Sequence, residues 1–139
     1  MNRTDFQQLA DVRIAEAAAL LRRRPPMPDG AYYLAGYAVE CALKACVAKL
    51  VNQHDFPDKQ LANDCHTHDI AVLIRVAGLE PAQRADADAN ISLRNNWSVV
   101  KDWRERSRYE RHSLEKAKRL YAAITDPTNG VLPWIKARW

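Results

Sequence analysis

The chain has 139 residues, 47% hydrophobic and 27% charged, with a formal net charge of +4 and a pI near 9.1. That length suits one domain with a core of its own, and that composition excludes wholesale disorder. No apolar run approaches the ~20 residues that cross a bilayer, and Met1-Asn2-Arg3-Thr4-Asp5 has no apolar signal core behind it. The expectation is a cytoplasmic protein with no membrane association. Three cysteines, an odd number, argue against a closed disulfide framework. Cys41 and Cys46, five apart on one helix, point in different directions and read as small core residues in a reducing compartment.

The first periodic segment runs from about Thr4 to Arg23. Phe6, Leu9, Ala10, Ile14, Ala17 and Leu21 form a helical stripe, with Thr4 as the expected N-cap. Arg22-Arg23-Arg24 closes it, where cations favour the helix dipole, and Pro25-Pro26-Met27-Pro28-Asp29-Gly30 breaks the chain. The second segment, Ala31 to Val51, is apolar nearly all round. Leu34, Val39, Leu43, Val47 and Leu50 alternate with small residues that let neighbouring backbones approach, so it should be the central, most buried helix.

Residues 52–67 read as a connector. A short helix should follow from His68 or Asp69 to Ala77, stopped by Gly78. A fourth should run unbroken from about Ala82 to near Trp103, with Ala85, Ala89, Leu93, Trp97 and Val100 as a narrow seam. That seam, with Trp97 and Trp103, suggests more apolar surface than one small bundle covers, and hence a homodimer. A last helix should start at Ser113 as N-cap, carry Leu114, Ala117, Leu120, Tyr121 and Ile124 inward, and end at Asp126-Pro127. Residues 131–139 could dock back or fray. The expected fold is therefore all-α: an up-and-down bundle of four to five helices over residues 4–125, with 126–139 as an extension of the same single domain.

Charge is unevenly spread. Residues 101–119 hold eight of the 21 cations and four of the 17 acids, so this segment carries the whole net +4 and the remainder balances at thirteen of each. Three constellations follow. Tyr33, Gly36, Tyr37, Glu40 and Lys44 share one helix face, and Glu40–Lys44 is the favourable i to i+4 order of a structural ion pair. His54, Cys65, His66 and His68 are zinc ligands by type but too crowded for a spaced pair of pairs, so no metal is expected; His68 should cap or pack. Arg106-Ser107-Arg108-Tyr109-Glu110-Arg111-His112 has two readings. It is either a basic connector with an exposed histidine, or a phosphodiester site where His112 moves a proton and Arg106 holds the phosphate.

Taken together these signals resemble the HEPN domain family. Residues 32–45, Tyr32-Tyr33-Leu34-Ala35-Gly36-Tyr37-Ala38-Val39-Glu40-Cys41-Ala42-Leu43-Lys44-Ala45, resemble that family's central helix. His68-Asp69-Ile70 with Leu73 resembles its His-Asp-Leu start of the third helix, and Ser107-Arg108-Tyr109-Glu110 its Arg-Tyr segment. The resemblance spans roughly residues 4 to 125. It implies a helical bundle that forms homodimers. It also implies, in many members, a metal-independent ribonuclease of toxin–antitoxin type partnered with a nucleotidyltransferase, using an Arg, four to six residues, then His.

Arg106 and His112, with five residues between them, fit that spacing as the catalytic pair, without a cofactor; Ser107 departs from the Asn, Asp or His often found after the arginine. Arg104, Arg108 and Arg111 would then contact RNA. Members with the Arg-Tyr segment often serve instead as non-catalytic binding or assembly modules that hold a nucleotidyltransferase, a nucleotide or RNA.

Overall fold

The computed structural model describes residues 1–53 and 59–139, with the side chains of residues 52 and 53 excepted. It is all-helical. Among the described residues there are eight α-helices, one 3-10 turn and no strand. They are α1 (Arg3–Arg22), α2 (Pro28–Gln53), α3 (Lys59–Asp64), α4 (Ile70–Val76), α5 (Glu80–Ala89), α6 (Ile91–Val100), a 3-10 turn (Glu105–Tyr109), α7 (Leu114–Thr125) and α8 (Val131–Lys136). Among the described residues no helix is long and apolar enough to cross a membrane.

The first helix starts two residues earlier than Thr4 as N-cap would place it. Asn2 is the N-cap: its side chain accepts from the Asp5 N–H while Asp5 accepts from the Asn2 N–H, a reciprocal arrangement that satisfies two otherwise unpaired donors. Central α2 begins at Pro28, which suits a first helical turn because its missing N–H has no intrahelical acceptor to lose. This helix packs against α1, α4, α7, α8 and the 3-10 turn. Ala35, Ala38, Val39, Ala42, Leu43 and Ala45 are fully buried along it, as its all-round apolar pattern requires.

Two further expectations about the elements need correction. The expected fourth helix is two helices, because Asn90 interrupts it. Its backbone is extended, and its Oδ1 accepts from the Ser92 and Leu93 N–H groups, capping a new helix. Its Nδ2 donates to Asn129 Oδ1 at 2.7 Å, so the break is also tied to the turn before α8. The connector is not wholly irregular either, since α3 lies within it.

The tail, for which docking and fraying were both open, docks. Val131, Leu132, Trp134 and Ile135 join the same buried cluster as Trp97, Leu120 and Ile124. Trp134 meets Trp97 edge-on at 5.6 Å and donates from Nε1 to Asp86 Oδ2 at 2.8 Å; Arg138 reaches the same oxygen at 2.9 Å.

The seam on α6 is covered from within. Leu93, Trp97, Val100 and Trp103 are all buried by the chain's own helices, so they give no surface argument for a homodimer; Ala85 and Ala89, the rest of the expected seam, are exposed on α5, whose buried residue is Ala87. Trp103 has no exposure at all and lies across α2 at Gly36, where the missing Cβ lets the indole lie against backbone. A Cβ at Gly36 would stand 2.3 Å from the Trp103 ring.

Candidate functional site

Two groups of side chains carry chemistry, and both meet the segment between α6 and α7. The first is built on α2. Glu40 is 1% exposed, which requires partners for its carboxylate. Its Oε1 receives Lys44 Nζ at 2.9 Å and His68 Nδ1 at 2.8 Å. Its Oε2 is buried with no hydrogen-bond partner among the described residues.

His68 stands just before α4, whose N-cap is Asp69; the Asp69 carboxylate accepts from the Ala71 and Val72 N–H groups. Thus His68 packs and pairs while Asp69 caps. On its far side His68 Nε2 lies 3.5 Å from Glu105 Oε2, and Glu105 in turn pairs with Arg108 at 3.2 Å. The result is a chain of alternating groups, Lys44–Glu40–His68–Glu105–Arg108, from the core to the 3-10 turn. A cleft of about 650 Å³ opens on one side of His68 against Phe6, Tyr37 and Val47. Another, of about 440 Å³, opens on the other side against Arg104 and Arg106.

Among the described residues no three His, Cys, Asp or Glu side chains are placed to hold an ion, and His54 lies outside the described residues. Burial pushes the Cys41 and Cys46 thiols up to about 11, so at neutral pH both are protonated core groups rather than nucleophiles.

The second group is the basic connector, and here the structure separates the two residues that the spacing pairs. His112 is 7% exposed and turned inward. Its ring stacks on Tyr32 with centroids 4.0 Å apart and planes 18° apart. Nε2 lies 3.1 Å from the Ser107 carbonyl oxygen; a carbonyl only accepts, so Nε2 carries the proton. Nδ1 is buried without a partner among the described residues.

The His112 backbone N–H donates to Asp29 in the first turn of α2. That bond, reinforced by the Arg111 guanidinium 2.7 Å away, holds the Asp29 carboxyl below its ordinary value. His112 therefore closes the connector on itself and ties it to α2.

Arg106 has the opposite environment: its side chain is 81% exposed, with Nε 3.5 Å from Glu110 Oε1. The other arginines are exposed as well. Arg104 donates to the Lys101 and Trp103 carbonyls, Arg108 pairs with Glu105, and Arg111 pairs with Asp29 while remaining 95% exposed. All eight cations between residues 101 and 119 face solvent.

The predicted Glu40–Lys44 pair is thus present, with His68 added. Sequence reasoning did not link His68, Glu105, Tyr32 or Asp29 to these groups. Glu40 and His68 are 28 residues apart, and no local pattern marks such a contact. A scan against family models returned no match, and searches of curated proteins and of solved structures returned none either.

Proposed function

We propose that the chain is a non-catalytic, HEPN-like binding module that holds RNA on the connector between α6 and α7. Arg104, Arg106, Arg108 and Arg111 serve as phosphate contacts. The observation that carries this reading is the contrast between an enclosed His112 and a set of cations that all face solvent. Each exposed arginine is held by surface acids or carbonyls, and surface ion pairs are worth only about 0–1 kcal/mol, so phosphate oxygens can replace them at small cost. A guanidinium also grips phosphate through two parallel N–H groups. Proton transfer by His112 would instead need the ring to leave both Tyr32 and the Ser107 carbonyl.

The ribonuclease alternative, with Arg106 and His112 as the catalytic pair, is tested in the same experiment. Purified protein is incubated with labelled single-stranded RNA in chelator, beside His112→Ala, and binding is measured across salt concentrations. Four phosphate contacts on a single strand predict a loss of affinity of about 50-fold between 50 and 200 mM salt. The RNA should remain uncut by both proteins. Cleavage by the wild type that His112→Ala abolishes would overturn the non-catalytic reading. Binding that ignores salt would remove the phosphate contacts.

Homodimerisation and a nucleotidyltransferase partner belong to the same proposal on the resemblance alone. The expected sedimentation result at micromolar concentration is a species of twice 15.8 kDa. A single species of one chain's mass would remove the dimer.

A further inference from the structure

Tyr109 is the only exposed aromatic side chain among the described residues. The indoles of Trp97, Trp103 and Trp134 and the ring of Tyr32 are buried, and the remaining described aromatic residues are half-buried. Tyr109 is 79% exposed. A lone exposed aromatic is ordinary on a protein surface, and its setting is what gives this one meaning. It closes the 3-10 turn in the middle of the arginine set, with Arg106 and Arg108 before it and Arg111 after.

The Arg108 guanidinium lies 4.8 Å from its ring centroid. With 79% of the residue exposed, both ring faces cannot be covered, so one is open to a planar ligand. The turn that presents it is well held. The Ser107 N–H donates to the Arg104 carbonyl, and the Ser107 carbonyl accepts from the Glu110 N–H and from His112 Nε2. Glu105 fastens the start of the turn to His68 and Arg108. A ring with few rotatable bonds on a fixed turn loses little entropy when a ligand stacks on it.

We propose that Tyr109, backed by Arg108, is a stacking subsite for one unpaired base of a bound RNA strand, with Arg106 and Arg111 taking the phosphates on either side. This deepens the RNA-binding reading above and rests on it. A base presents an apolar face with an anion attached on each side, which matches a ring between guanidinium groups. An apolar protein segment would call for apolar neighbours, and the residues that flank Tyr109 in the turn are charged. Stacking needs the base face free, so the subsite selects single strands over duplex.

The test is fluorescence anisotropy with a labelled oligouridylate, alone and annealed to oligoadenylate, against wild type, Tyr109→Ala and Tyr109→Phe. Loss of one stacked base predicts that Tyr109→Ala binds the single strand about 5- to 150-fold more weakly. Tyr109→Phe should stay within about twofold of wild type, because the ring face is kept. Duplex binding should change little in either variant, and the melting temperature of both should match wild type, since Tyr109 is not part of the core. If Tyr109→Ala binds the single strand as wild type does, the stacking subsite is wrong while the RNA-binding module stands. Equal weakening on single strand and duplex would also overturn it. If the wild type binds neither RNA, both proposals fall together.

Discussion

Trp103→Ala is expected to destabilise the chain by about 3–5 kcal/mol, measured as a lowered urea midpoint with an unchanged slope. Trp103 is fully buried, and its indole lies between Gly36 and Tyr33, whose ring centroid is 6.1 Å away. Truncation removes the largest fully buried side chain of the molecule and leaves a void over the middle of α2, a helix too tightly packed to move in and fill it.

The converse substitution should also be damaging. A methyl group at Gly36 would meet the indole at 2.3 Å on three ring atoms, so Gly36→Ala must displace Trp103, at about 1–3 kcal/mol or more for overpacking. The two changes share one space, so the double variant should cost clearly less than the sum. Additive costs would mean that the indole does not lie over Gly36. For a domain with a net stability of about 5–15 kcal/mol, either change takes a large share.

Lys44→Met is expected to cost about 3 kcal/mol, at the lower end of the range for breaking a buried ion pair, because Lys44 keeps some contact with solvent. Among the described residues Glu40 would remain buried with His68 as its sole partner, its other oxygen already having none. Replacing both members, Glu40→Leu with Lys44→Met, removes the stranded charge and should recover most of the loss. Such asymmetry distinguishes a buried pair from a surface one, whose single and double variants would all lie within about 0.5 kcal/mol of wild type. Equilibrium denaturation of Lys44→Met, Glu40→Leu and the double variant decides it. Singles and double alike near wild type would place Glu40 in solvent.

Much of the architecture follows from local chemistry. The apolar girth of α2 marks it as the central helix, because a helix that is apolar nearly all round must be surrounded. Ser113 was legible as the N-cap of α7, and its side chain does accept from the Lys116 N–H, since a cap depends only on residues within one turn. The Glu40–Lys44 pair was legible for the same reason: four residues on a helix fix the spacing without help from the fold. Asn90 was legible in principle, as a good N-cap residue directly before Ile91-Ser92. The spacing of Ala85 and Ala89 with Leu93 and Trp97 hid it, although Ala85 and Ala89 are exposed on α5, because periodicity does not report where one helix ends and another begins.

The tertiary structure decided which groups meet across distance. Whether the Trp97 seam faced a second chain or its own depended on residues 131–135 folding back over it. Periodicity shows that a face must be covered and is silent on what covers it. The spacing from Arg106 to His112 fits a catalytic pair on paper, yet the ring bends back to the Ser107 carbonyl and under Tyr32, a residue 80 positions away. His68 found Glu40, and Glu105 found His68, by the packing of α4 and the 3-10 turn against α2. A side chain's local sequence sets what chemistry it offers. Its orientation comes from burial and from non-local hydrogen bonds, which exist only once the helices have packed.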